Sequence, residues 1–138
     1  MTQAHHDLAR AYFAAVTAGG LPDALCCDDM TAWITTGGTM SKSAYQEVIR
    51  LLSRMCATPI EFTIDAITAE EDRVLAEARS KAVLVNGEAY ENTYVFAFRV
   101  RDGKFAHIAE HYNALVTQVK LVPLMEGLDH PPRGSPGK

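Results

Sequence analysis

The sequence has little of what would anchor or brace a chain by special means. It carries three cysteines in 138 residues, Cys26, Cys27 and Cys56, with no C-x-x-C spacing. An adjacent pair cannot spread around a tetrahedral zinc ion, and an odd count suits reduced thiols, so these residues read as small hydrophobes of a cytoplasmic protein. His5 and His6 lack a third convergent ligand in the sequence, so no metal is expected. No apolar run approaches the roughly 20 residues needed to span a bilayer. The opening MTQAHHDLAR has neither the basic start nor the apolar stretch of a signal peptide, so export is not expected. Basic charge is not in excess: 13 Lys and Arg against 17 Asp and Glu give a formal charge of -4, which argues against nucleic acid and anionic membranes as partners. No G-x-S-x-G elbow, phosphate loop or dinucleotide fingerprint occurs, and no cofactor is expected.

What remains is ordinary globular material. Hydrophobic residues make up 48% and charged residues 22%, too apolar for a disordered chain and enough for one core. Residues 4–18 have helical spacing through Leu8, Ala11, Tyr12, Ala15 and Val16, stopped by Gly19-Gly20. The segment LPDALCC, 21–27, predicts a second short helix, and 30–36 a short strand around Trp33 and Ile34. Ser41 or Ser43 can cap a third helix, whose stripe is Tyr45, Val48, Ile49, Leu52 and Met55.

From Ile60 the period changes to two. Ile60, Phe62, Ile64 and Ala66 alternate with polar residues. Val74, Ala76, Ala78, Ser80, Ala82 and Leu84 alternate with Glu77, Arg79 and Lys81. Asn86-Gly87 marks a hairpin, and the return strand gathers Tyr90, Asn92, Tyr94, Phe96, Phe98 and Val100 on one face. Asp102-Gly103 marks another turn. Strict alternation over 104–117 then puts Phe105, His107, Ala109, His111 and Asn113 together. After Pro123 the sequence turns polar and rich in Pro and Gly, and 126–138 reads as a flexible tail following a domain of residues 1–125. Helices followed by long antiparallel strands are an α+β pattern. Such strands twist, and a curved sheet around helices encloses a pocket.

That order, with the segment YENTYVFAFRVRDGKFAHIAEHYNAL, resembles the nuclear-transport-factor-2-like superfamily over about residues 5–120. Its SnoaL-like and ketosteroid-isomerase-like branch is nearest. The hairpin Phe96-x-Phe98-x-Val100-x-Asp102-Gly103-Lys104, the strand through His111-Tyr112-Asn113, and Asp28-Asp29 ahead of Trp33 carry the resemblance. It implies a cone-shaped curved antiparallel sheet wrapped around three N-terminal helices, and a homodimer formed through the outer sheet face. Tyr12 falls where ketosteroid isomerases carry an oxyanion-hole tyrosine. Their base and protonated acid fall near Ile34 and Phe96, neither acidic, so steroid isomerisation is not implied. Against limonene-epoxide-hydrolase relatives, His111 falls at an aspartate position and Glu77 and Arg79 fall near an Arg-x-Asp pair with the signs exchanged. The alternation turns Glu77 and Arg79 to solvent.

The expected ligand is a small hydrophobic molecule, polycyclic or aromatic in kind, in a pocket lined by Tyr12, Trp33, Asn92, Tyr94, His111 and Asn113. In the catalytic reading His111 is general acid or base and Tyr12 an oxyanion donor, in a cofactor-independent isomerase, cyclase, dehydratase or hydrolase. The other reading is a non-catalytic binding or dimerisation module, with His111 a core histidine bonded to a neighbour and Tyr12 simply packed.

Overall fold

The structure, a computed structural model, describes residues 2–129. Its elements run α1 (Thr2–Ala18), a single 3-10 turn (Asp23–Leu25), β1 (Cys26–Ile34), β2 (Gly38–Ser41), α2 (Lys42–Met55), β3 (Glu61–Glu70), β4 (Arg73–Val83), β5 (Ala89–Arg101) and β6 (Lys104–Tyr112). A last helix occupies 114–129, beginning as Ala114–Val116, passing through a π-helical turn over Thr117–Leu121 and continuing as Val122–Asp129.

Two sequence expectations change here. The helix over 21–27 shrinks to its 3-10 turn, because Cys26 and Cys27 already belong to β1. The last strand stops at Tyr112 instead of 117. Asn113 caps the helix that follows, its side-chain oxygen accepting from the Leu115 amide at 3.0 Å. That helix also takes up residues 126–129 of the expected tail; 130–138 lie outside the described residues.

The six strands form one curved sheet in the order β2-β1-β6-β5-β4-β3, antiparallel except for the β1–β6 pair. The chain is thus an α+β cone whose long strands β3 to β6 form a meander. The turn at Asp102-Gly103 joins the paired residues Arg101 and Lys104, with positive φ at both positions (55° and 76°), as a two-residue hairpin of the favoured twist demands. The inner face of β4 and β5 is the alternation read from the sequence: Val74, Ala76, Ala78, Ser80 and Ala82 on one strand, Tyr90 to Val100 in steps of two on the other, all buried. Phe96 and Phe98 stack with rings 5.8 Å apart, and α1 lays Tyr12 and Phe13 edge-on against them.

β6 departs from strict alternation. Val100 pairs with Phe105 but Arg99 pairs with His107, so Ala106 is an extra residue, a β-bulge. Phe105 and Ile108 are both fully buried although three apart. Past the bulge every side chain changes face: Ile108, Glu110 and Tyr112 turn inward, and His107, Ala109 and His111 turn outward.

Candidate functional site

The inward set of β6 meets α2 and the last helix around an apolar cavity of about 120 Å³. α2 contributes Val48, Leu51, Leu52 and Met55. The last helix contributes Thr117, Leu121 and Met125, spaced by four, and the sheet contributes Ile34, Tyr90, Tyr94, Glu110 and Tyr112. The volume is near that of an engineered cavity known to take benzene, so it matches one ring and not a fused polycycle.

Among the described residues, Glu110 is the only charged side chain on this wall. Burial pushes its carboxyl up to about 7, with a hydrogen bond from Tyr45 working in the opposite direction. The Tyr45 hydroxyl donates to Glu110 Oε1 at 2.7 Å and lies 2.6 Å from the Tyr12 hydroxyl. Both tyrosines are fully buried, and burial drives both phenols well above their ordinary range. The Glu110 main chain is pinned as well: its carbonyl accepts from the Thr35 amide at 3.2 Å and from the Thr35 hydroxyl at 3.3 Å. Tyr112 is steadied by the Thr36 hydroxyl, 2.5 Å away. A carboxyl poised near neutrality in an apolar chamber can give or take a proton at physiological pH.

A second polar group borders the cavity. The Tyr94 hydroxyl lies 2.7 Å from Ser80 Oγ and 3.2 Å from the Tyr90 hydroxyl, which accepts from Asn92 Nδ2 at 3.1 Å. Asn92 is buried, and it ties β5 to the start of the last helix. Its side-chain oxygen accepts from the amides of Thr93 and Asn113 at 2.8 and 3.2 Å, and its amide reaches Thr117 Oγ1 at 3.4 Å.

The residues expected to line one pocket are therefore dispersed. Tyr94 borders the cavity. Tyr12 lies behind it in the core, one hydroxyl removed from Glu110. Asn92 is spent on main-chain and hydroxyl bonds, and Asn113 is an exposed helix cap. His111 and Trp33 are on the outer face, their rings 4.7 Å apart, because the Ala106 bulge reverses the side-chain parity that placed His111 inside. Glu77 and Arg79 are on that outer face too, and Arg79 grips Asp65 with two bonds of 2.9 and 3.0 Å. Sequence reading missed Glu110 and Tyr45. The available signal was the spacing Phe105-x-x-Ile108-x-Glu110-x-Tyr112, which breaks an alternation of two within one strand.

The family model for the SnoaL-like domain matches residues 9–108, so the chain belongs to that family. The match ends just before Glu110 and the last helix. Solved structures agree in fold. A nuclear-transport-factor-2-like protein from Anabaena variabilis superposes with a TM-score of 0.72 at 22% identity, over 80% of this chain and 87% of that one. PrhC from Penicillium brasilianum gives 0.77 at 16% identity over 92% and 91%, and an LEH-like epoxide hydrolase from M. tuberculosis gives 0.69 at 16% over 95% and 98%. At these identities the likeness is one of fold. No curated protein sequence matches the chain. Among the described residues no helix is long and apolar enough to cross a membrane.

Proposed function

We propose that the chain is a cofactor-independent enzyme that binds a small, mostly apolar, single-ring molecule in the cone cavity and moves a proton to or from it through Glu110. The observation that carries this reading is one carboxyl, raised to about 7 by burial, as the only charge that the described residues place on the wall of an apolar chamber. Isomerisation, cyclisation, dehydration and hydrolysis each need such a proton carrier. Glu110 here takes the role that the sequence suggested for His111, and the hydroxyls of Tyr90, Tyr94 and Tyr112 are available to orient a polar substituent.

A monocyclic β,γ-unsaturated ketone tests the reading, because its conversion to the α,β-unsaturated isomer needs only removal of a proton at one carbon and its return at another. The expected result is conversion that rises with pH through about 7 as Glu110 ionises, and that is lost in Glu110→Gln. Binding without conversion, unchanged in Glu110→Gln, favours the non-catalytic module instead.

Self-association through the outer sheet face is part of the same proposal. Leu75 and Val95 are 40% and 42% exposed there, beside Trp33, Ala97 and Ala109. The three unpaired thiols, Cys26, Cys27 and Cys56, suit a reducing cytoplasm.

A further inference from the structure

Tyr45 has one hydroxyl proton and two close oxygen neighbours. Glu110 Oε1 is 2.7 Å away and Tyr12 Oη is 2.6 Å away. When Glu110 is ionised its oxygens can only accept, so the Tyr45 proton points at Glu110 and Tyr45 accepts the proton of Tyr12. The order of donation is then fixed as Tyr12 to Tyr45 to Glu110, from α1 through α2 to β6. Among the described residues no other side-chain or main-chain donor meets the carboxyl, which leaves Oε2 as the atom free to meet a ligand.

We propose that Tyr45, oriented by Tyr12, is a positioning residue that fixes which oxygen of Glu110 reacts and stabilises its carboxylate form. The proposal rests on the reading of Glu110 as the proton carrier. Its geometry is rigid. Tyr12 is clasped by the rings of Phe13, Phe96, Phe98 and Phe105 at centroid distances of 5.2 to 6.0 Å, so its hydroxyl cannot swing away. Tyr45 has no measurable exposure. A bond from a neutral donor to an ionised acceptor is about twice as strong as one between neutral groups, and a second hydroxyl donating to the first strengthens it further.

Other groups around Glu110 do not supply a substitute. Facing it are Tyr12 from α1, Tyr45 from α2, Tyr90 and Tyr94 from β5, and Tyr112 from β6; the last helix offers Thr117, Leu121 and Met125, none of which titrates. Among the described residues no lysine, arginine or histidine lines the cavity. Without Tyr45 the half-buried carboxylate loses its one charge-assisted bond among the described residues, and its desolvation alone sets its proton affinity.

The test follows the Glu110 side-chain carboxyl resonance by NMR on glutamate-labelled protein across pH, assigned by its absence in Glu110→Gln. Tyr45→Phe keeps the ring and removes the hydroxyl. The midpoint is expected to rise by about one unit, a tenfold gain in proton affinity. Tyr12→Phe is expected to raise it by less, in the same direction. An unchanged midpoint in Tyr45→Phe overturns the proposal, even if that variant melts earlier, since a merely structural role moves stability and not titration. If Tyr45→Phe does not fold, Tyr12→Phe decides alone: an upward shift supports the relay and no shift overturns it. Failure of the proton-carrier reading shows elsewhere, as ketone isomerisation that survives Glu110→Gln.

Discussion

The indole of Trp33 packs against the imidazole of His111 with ring centroids 4.7 Å apart and planes at 41°. The two rings come from adjacent parallel strands, since Trp33 pairs with Ala109 and His111 stands two residues further along β6. Beside them, Ala109 pairs with Ala97 and His111 with Val95 on β5, and Leu75 of β4 pairs with Ala97. Large rings at one side and alanines at the centre give a shelf that another apolar surface can seat against.

This arrangement separates His111 from the cavity chemistry. His111→Ala is expected to leave ligand binding and the Glu110 midpoint as they are in the parent protein. Trp33→Ala is expected to weaken self-association at tens of micromolar, read by light scattering or sedimentation. Loss of ketone isomerisation in His111→Ala with the fold intact would return that residue to the catalytic role.

The cavity's size gives a second expectation. Leu121 is buried and Met125 half-buried, and both close the chamber from the last helix. Leu121→Ala is expected to cost about 2–5 kcal/mol of stability, the usual range for a buried leucine truncation. It should also open room for a second ring. Calorimetric titration with toluene and with naphthalene makes the comparison: the parent is expected to take the smaller compound only, and Leu121→Ala, or Met125→Ala if the former is too unstable, to take both. Equal naphthalene binding by parent and variant would mean that other side chains set the limit.

Most of the fold was legible because periodicity is a direct consequence of burial. β4 and β5 alternate without a fault over 73–83 and 89–101, and the sequence there is the structure's inner face. The site was less legible for a single physical reason. Glu110 and His111 are neighbours in sequence, and one inserted residue upstream decides which of them faces the helices. Hydrophobic alternation cannot register that insertion when the bulged residue is alanine, at home on either face. The pairing of Tyr45 with Tyr12 was hidden differently: 33 residues separate them, and each taken alone is an aromatic on a helix's apolar stripe.

The bulge itself can be tested. Deleting Ala106 joins Phe105 to His107 and removes the bulge while leaving Phe105, Ile108, Glu110 and Tyr112 on the inner face and His107, Ala109 and His111 outside. The deletion variant is therefore expected to fold with Glu110 still in the cavity, read as a Glu110 carboxyl resonance that titrates as it does in the parent. A folded deletion variant in which that resonance titrates like an exposed glutamate would show that the bulge is needed to hold Glu110 inside.

Glu110 also predicts a particular dependence of stability on pH. Its folded carboxyl titrates at about 7 against an ordinary value of 4.5, so between these values the folded chain binds more protons than the unfolded one. Stability from this group is therefore full below pH 4.5, falls as pH rises toward 7, and levels off above it. The gap from 4.5 to about 7 corresponds to at most about 3–4 kcal/mol, at about 1.36 kcal/mol per pH unit. Glu110→Gln keeps the size and an acceptor for Tyr45 while removing the charge. It is expected to match or fall slightly below the parent near pH 5, where Glu110 is mostly protonated, and to exceed it above pH 8, where the parent must bury an ionised carboxylate. Denaturant melts of both proteins at these two pH values make the measurement. Parallel losses of stability in parent and variant across that interval would place the titrating group elsewhere.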